Sequence, residues 1–402
     1  MRQQGLAPAR MEVWDMAETV LPSQVIDGLI RFRSPDAPVL SMYLTVPADP
    51  GEVKGARSQL RTLAKVATEH VESDQLGHAE RESLKSDIGH MLALEGDLPA
   101  MKGRGVALFS CTRHKLLEQV VLPRPVKDRV DVDVAPYVRP LLGLASESPR
   151  YCVVVIDRAN VWLYLFHLGS LEEAKRDRDR TLRNKDHGGP SGYDEYTVHN
   201  KSEDLARRHF RHAVEETEAF MQDQRAELLI VGGHEDVVTQ FLGYFPEPLA
   251  DKRAGTFVID PHTMTPARIR DHAEQVVDDY EHYREQQLVS EAIDRAKSGG
   301  LGALGLDWCL LAGDEQAVEQ LLIDQDAEVG GQVCDNCGWL GLSGQPCPVC
   351  GQSTRRTSDI IGNLAVAVVG ASGTVTQVAA DQLLAEELVA AFLRFPVPPP
   401  QD

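Results

Sequence analysis

No stretch of this sequence comes near the roughly 18 to 20 consecutive apolar residues that a bilayer-spanning helix needs, so no membrane partner is expected. Residues Met1 to Met11 lack the basic-then-apolar order of a secretory signal, and a cytoplasmic location is the expectation. Neither GxSxG nor HExxH occurs, which removes the commonest signatures of serine hydrolases and zinc proteases. No internal repeat is found. Positive charge is also short: 41 Lys and Arg stand against 61 Asp and Glu, a net charge of -20. Such a chain cannot coat nucleic acid over a broad face, because phosphate contacts require local cations.

What is present is ordinary for a folded protein, with 43% hydrophobic and 25% charged residues. At 402 residues the chain exceeds what one core usually supports, and two or three domains are expected. Of seven cysteines, Cys111, Cys152 and Cys309 stand alone beside apolar residues and read as core thiols. The other four are clustered, and in a reducing compartment a tight cluster points to metal instead of disulfides.

Along the chain the patterning gives a helix over Pro22–Arg33 and a strand over Val39–Val46. Helices over 54–73 and 78–94 and strands over Gly105–Ser110 and Leu116–Leu122 follow. A second region opens with strands Tyr151–Asp157 and Asn160–Phe166, then a basic, glycine-containing loop over about 168–200 and a helix over Ser202–Gln224. Strand Leu228–Val231, a helix from Asp236, strand Thr256–Ile259 and a helix with Pro266 in its first turn come next. That helix runs on as a long polar rod to about Lys297, where Gly299 and Gly300 end it. The third region reads as helices over Leu301–Leu311 and Glu315–Gln320, strand Gln320–Ile323, the cysteine insert, and Ile360–Val369. Strand Thr374–Val378, a helix from Asp381 and the strand-like Ala390–Arg394 close the chain. The fold class is α/β (α+β), with alternating strands and helices.

The most specific signal is Cys334-Asp-Asn-Cys337-Gly with Cys347-Pro-Val-Cys350-Gly. Two CxxC knuckles can hold four thiolates tetrahedrally around one zinc, and the glycine after each pair suits a tight turn. Four protein ligands leave no open position, so this Zn2+ would be structural; iron or redox chemistry and unmetallated thiols are the weaker alternatives. A local basic stretch comprises Lys175, Arg176, Arg178, Arg180, Arg183 and Lys185, and continues into Lys201, Arg207, Arg208 and Arg211. It is the candidate RNA contact. His187-Gly188-Gly189-Pro190 lies inside it, a loop whose backbone can approach a ligand, or simply a solvated tip. Gly232-Gly233-His234 reads as a strand-to-helix turn, short of a Rossmann or P-loop fingerprint. His209 and His212 read as part of a solvated or RNA-facing polar stripe.

Together these segments resemble the archaeal and eukaryotic class-one peptide chain release factors and their relative Pelota. Gly305–Ile323 looks like the opening of that family's third domain, and the cysteine knuckles occupy the place of its zinc-binding insert. The resemblance implies three mixed α/β domains: 1–145, 146–282 and 283–402, with the ribbon at 334–351. In the family, paired glycines followed by glutamine enter the peptidyl-transferase centre. Here Gly188 and Gly189 match, but Pro190 replaces the glutamine and offers neither a backbone N–H nor a side-chain amide. The family's stop-codon-reading motifs, Asn-Ile-Lys-Ser and Tyr-x-Cys-x-x-x-Phe, are missing as well. In both respects the chain is similar to bacterial members such as the Balon-type hibernation factors.

The resemblance implies a ribosome-binding factor occupying the A site in hibernation, stress or rescue. The partners it implies are ribosomal RNA and, as an open question, a translational GTPase. The alternatives are a peptidyl-tRNA hydrolase using His187, Gly188 and Gly189 in a nonstandard way, and a protein-binding adaptor favoured by the acidic surface. No catalytic residue is assigned with more than that loop as its basis, and the balance leans away from an enzyme.

Overall fold

The structure, a computed structural model, describes residues 23–46, 53–71, 76–98, 105–122, 125–146, 149–167, 170–178, 194–379, 384 and 386–400. The chain divides into two compact units, Met1–Val25 with Leu40–Val130, and Ile26–Val39 with Asp131–Asp402. Among the described residues the strands form four sheets, and with the helices they make a mixed α/β protein. No described helix is long and apolar enough to cross a membrane.

The chain begins with α1 (Ser23–Arg31), β1 (Val39–Thr45), α2 (Val53–Val71) and α3 (His78–Ala93). It continues through β2 (Gly105–Cys111), β3 (Leu116–Leu122), β4 (Arg129–Asp133) and α4 (Arg139–Ser146). The first sheet has the order β3-β2-β1-β4. Strand β2 is buried along its whole length, and Leu60, Leu63, Ala64 and Ala67 of α2 supply a buried helical stripe. Asp87 is fully buried on α3; its Oδ1 accepts from Ser110 Oγ at 2.6 Å and from the Thr112 backbone N–H at 2.8 Å. Those two bonds fasten the helix to the end of β2.

The second unit opens its central sheet with β5 (Tyr151–Ile156), β6 (Asn160–His167) and β7 (Ser170–Arg178). Then come α5 (Asp194–Gln224), β8 (Leu228–Gly233), α6 (Glu235–Leu242), α7 (Glu247–Ala250), β9 (Arg253–Val258) and α8 (Pro266–Lys297). The sheet order is β7-β6-β5-β8-β9, with β5, β8 and β9 parallel and β5-β6-β7 antiparallel. Both faces are covered, which explains why β5 and β6 read as continuous apolar runs instead of alternating ones. Cys152, Val154, Ile156, Leu163 and Leu165 meet Phe210, Val214 and Phe241 on one side. Val153, Val155, Trp162 and Phe166 meet Ile269, Ala273 and Val277 of α8 on the other.

Strand β7 corrects the sequence expectation of a loop from 168. Its residues 171–176 are all exposed, so no apolar period marked it; only the ladder to β6 makes it a strand. Helix α5 likewise starts eight residues before its expected Ser202.

Helix α8 runs unbroken through the expected boundary at 283. Pro266 occupies its first turn, with Thr265 Oγ1 accepting from the Arg268 N–H as a cap. Its early residues pack on the central sheet, and Val289 and Ala292 pack on the next one. That sheet contains β10 (Gly302–Leu304), preceding α9 (Leu306–Asp314), and β11 (Val318–Asp324). The ribbon strands β12 (Gly331–Val333), β13 (Leu340–Gly341) and β14 (Arg355–Thr357) follow. Helix α10 (Ile360–Gly370), β15 (Thr374–Val378) and β16 (Val389–Leu393) complete the chain, and the sheet order is β10-β16-β11-β15. The expected helix over Glu315–Gln320 does not form. Glu315 and Gln316 turn the chain, with Gln316 at φ 56°, and β11 begins at Val318. Residues 381–383 of the expected final helix lie outside the described residues.

Residues 136–146 are tied to this last sheet. The Arg139 guanidinium is buried, donating to the carbonyl oxygens of Ala327 at 2.5 Å and Asp324 at 2.7 Å and pairing with Asp359 at 3.1 Å. Tyr137 donates to the same Asp359 oxygen at 3.0 Å. Removing one partner of a pair this buried costs about 3–5 kcal/mol, since the other charge is left without compensation.

Candidate functional site

The ribbon is a small antiparallel sheet of order β13-β12-β14 carrying two knuckles of the same construction. In the first, the Gly338 N–H donates to Cys334 O at 2.8 Å and the Cys334 N–H donates to Trp339 O at 2.9 Å. In the second, the Gly351 N–H donates to Cys347 O at 2.9 Å and the Cys347 N–H donates to Gln352 O at 2.8 Å. Gly338 and Gly351 sit at φ 83° and 72°, a left-handed conformation that a side chain would disfavour. The Trp339 ring lies so close over Gly341 and Gly344 that a Cβ at either would overlap it, at 2.3 Å and 2.8 Å.

These turns bring four sulfurs together. Cys334 and Cys350 lie 3.4 Å apart, Cys337 and Cys347 lie 3.7 Å apart, and all four ligand atoms fall within 4.8 Å of one another. Bonds of about 2.3 Å at tetrahedral angles would separate sulfurs by about 3.8 Å, whereas a disulfide would join them at about 2.05 Å. The cluster can hold a metal ion. The Gln352 backbone N–H and the Asn336 side chain pull Cys350 down to about 6, which favours a thiolate at neutral pH. At Cys337 the Trp339 backbone N–H pulls downward, but burial and the neighbouring thiols prevail and push it up to about 12.

The ribbon is anchored at its base. Asp314, at the end of α9, accepts from the Leu340 N–H at 3.2 Å. Burial pushes its carboxyl up to about 6, against the pull of that N–H. Cys111, Cys152 and Cys309 are all fully buried. Burial pushes the thiols of Cys152 and Cys309 far up, so neither offers a nucleophile.

The basic residues fall into three groups. On β7, Lys175 is ion-paired with Glu216 of α5, and the Arg176 guanidinium stacks over Trp162 at 5.1 Å. On α5, Arg207, Arg208 and Arg211 share the exposed arc, while His209, Phe210, Ala213 and Val214 share the buried one. Glu215 and Glu218 continue the exposed arc, so its positive charge is confined to the earlier turns. Arg178 and Lys201 belong to β7 and α5, with side chains outside the described ones; Arg180, Arg183, Lys185, His187, Gly188 and Gly189 lie outside the described residues. One expectation is corrected. His209 is not solvated: it is 1% exposed, its Nε2 lies 3.1 Å from Asp157 O, and its ring packs beside Phe210. Its place next to Phe210 on the wheel was the available signal.

The carboxyl edge of the central sheet gathers residues that belong to no sequence motif. Asp157 follows β5, His234 follows β8, and Asp260 and His262 follow β9. The His262 and Asp157 side chains approach to 3.5 Å, and those of His234 and Asp260 to 3.9 Å.

Comparison with known proteins places the middle of the chain. Residues 136–281 match the model of a family described as bacterial archaeo-eukaryotic release factor family 10. Over this segment the chain is similar to that release-factor family. No curated protein matches it. Among solved structures, an archaeal translation termination factor, aRF1, aligns at 14% identity over 93% of this chain and 97% of that one, with a TM-score of 0.25. Archaeal Pelota, from a model of ribosome-bound Pelota and ABCE1, aligns at 15% identity over 94% and 95%, with a TM-score of 0.39. Dom34 of S. cerevisiae aligns at 11% identity over 70% and 73%, with a TM-score of 0.36.

Proposed function

We propose that this chain is a release-factor-like ribosome-binding protein that occupies the A site without terminating translation. The observation that carries the reading is the release-factor family match over residues 136–281. Within that segment Pro190 stands where the family's glutamine would position water, so A-site occupancy in hibernation, stress or rescue is favoured over ester hydrolysis. We divide the chain at 1–145, 146–282 and 283–402, and assign a structural Zn2+ to Cys334, Cys337, Cys347 and Cys350. Four thiolates suit zinc and leave it no position for substrate. Ribosomal RNA is contacted by the exposed arc of Arg207, Arg208 and Arg211 together with Lys175, Arg176, Arg178, Arg180, Arg183, Lys185 and Lys201. A translational GTPase partner rests on the family resemblance alone.

Cosedimentation of the full chain with bacterial ribosomes at rising salt tests this. Binding should weaken steeply with salt, as counterion release requires. A variant carrying Arg207→Glu, Arg208→Glu and Arg211→Glu should bind at least about tenfold more weakly, because three phosphate-facing cations become repulsive. Equal pelleting of variant and wild type would remove the α5 arc from the interface. Rapid release of peptide from peptidyl-tRNA on the same ribosomes would promote the hydrolase reading instead.

A further inference from the structure

Helix α2 departs from the acidity of the rest of the chain. Asp and Glu outnumber Lys and Arg by 61 to 41 overall, yet Val53–Val71 carries Lys54, Arg57, Arg61 and Lys65 against one carboxylate, Glu69. At 3.6 residues per turn these four cations fall within an arc of about 80°, in a row about 16 Å long. Lys54, Arg61 and Lys65 are exposed, and Arg57 is half-buried. Ala56, Leu60, Leu63, Ala64 and Ala67, on the neighbouring arc, are buried and fix the row outward.

Balancing neighbouring carboxylates does not account for the row. Arg61 donates to both oxygens of Glu95, at 2.7 Å and 3.0 Å, and its side chain is still 68% exposed. The side chains of Lys54, Arg57 and Lys65 make no ion pair or hydrogen bond with any described residue. Arg57 Nε is buried without a partner, so this guanidinium is drawn partly out of water with no counter-charge beside it. Helix α3 is different. There Glu80 and Glu82 alternate with Arg81 and Lys85, and Glu82 pairs with Lys85 at 2.8 Å, the mixture of a face that meets only water.

The shape of the row selects its partner. Cations strung along a helix suit a chain of anions better than one small anion, which a cluster would hold. A lipid surface is disfavoured, because a helix lying on a membrane inserts its apolar face, and that face of α2 is already buried. A protein partner calls for exposed aromatic or apolar anchors. The row instead runs beside Ser58 and Thr62, with Val66 its one exposed large apolar neighbour. Phosphates need only cations at intervals. We propose that the Lys54–Lys65 face of α2 binds the phosphate backbone of RNA, as a contact additional to the arc on α5. The inference rests on the ribosome-binding reading above. It gives the first unit, which lacks the stop-codon-reading motifs, an RNA contact that is blind to sequence.

The test measures binding of the full chain to a fluorescently labelled RNA stem-loop by anisotropy at several salt concentrations, and pelleting with bacterial ribosomes in parallel. Wild type is compared with the triple variant Lys54→Gln, Arg57→Gln, Lys65→Gln. The double variant Lys54→Gln, Lys65→Gln touches exposed side chains alone and serves if loss of Arg57 unsettles the fold. The triple variant should bind the stem-loop at least about tenfold more weakly at low salt, and its salt slope should be shallower by about 2–3, the loss of three phosphate contacts. The double variant should lose about two thirds of that slope. Equal affinity and slope in wild type and variants would overturn the proposal, as would a wild type that leaves the stem-loop unbound at low salt. Weaker ribosome pelleting with unchanged stem-loop affinity would assign the face to a ribosomal protein and overturn it too. If wild type bound the stem-loop through this row and yet failed to pellet with ribosomes, the A-site reading would fall and the RNA-binding face would stand.

Discussion

The ribbon and the central sheet lie in the same unit and hold their shapes by different means. Strands β12, β13 and β14 have two or three residues each, and the buried side chains beside them are few: Val333, Leu340, Thr357, and the sulfurs of Cys334 and Cys347. The central sheet buries both faces under α5, α6 and α8, with fully enclosed side chains such as Phe166, Phe210 and Phe241. Apolar burial stabilises by about 25 cal/mol per Å2, so the sheet is stable through its own area while the ribbon is too small to be. If the sulfurs hold a metal ion, as proposed, the ribbon depends on it and the sheet does not. Damage to one region should leave the other standing.

The largest expected effect breaks the ribbon alone. Cys347→Ser, or chelation of the wild type, should abolish metal binding at the knuckles and open residues 331–357 to protease. Structural zinc supplies on the order of 10 kcal/mol to sites of this size. Metal analysis and limited proteolysis would read both outcomes, and the fragment carrying the central sheet should stay resistant. If the ribbon remained protected without metal, the contrast between the regions would disappear.

A smaller effect tests the sheet. Phe241→Ala removes a fully buried ring packed against Phe210 and Phe245. Denaturant unfolding should show a loss of about 3–5 kcal/mol, with the metal content unchanged. Coupled loss of metal would mean that the two regions unfold as one.

The smallest effect concerns the joint between the ribbon and α9. The Asp314 carboxyl is raised to about 6, so its contribution to stability is complete below the unfolded value of 3.8 and is lost as pH rises through about 6. Asp314→Asn keeps an oxygen to accept from the Leu340 N–H and removes the titration. Melting temperatures from pH 4 to pH 7 should fall more for wild type than for the variant, and parallel curves would discard this assignment.

How much of the site could be read beforehand follows from the range of the forces involved. The knuckles were legible because each is closed within six residues: the spacing and glycines of Cys334–Gly338 and Cys347–Gly351 carry their own turn geometry. The outward arc of Arg207, Arg208 and Arg211 was legible as a basic run but not as a face. The same run contains His209, whose position on the inward arc became clear only once α5 packed on the sheet. Strand β7 was illegible because Glu172, Glu173, Lys175 and Arg176 have neither an apolar period nor strand-favouring side chains. Its backbone forms a strand because β6 offers an unpaired edge.

The edge formed by Asp157, His234, Asp260 and His262 was the least legible, since its members come from three strand ends far apart in the chain. By itself the sequence determined the alternation of strands and helices, the buried runs of β5 and β6, and the paired thiol turns. These depend on periodicity and on contacts a few residues apart. Tertiary structure decided that β7 is a strand, that Arg139 is buried against Asp324 and Asp359, and which side chains meet at the strand ends. Those outcomes depend on which distant segments come to lie side by side, and local preference carries no record of that.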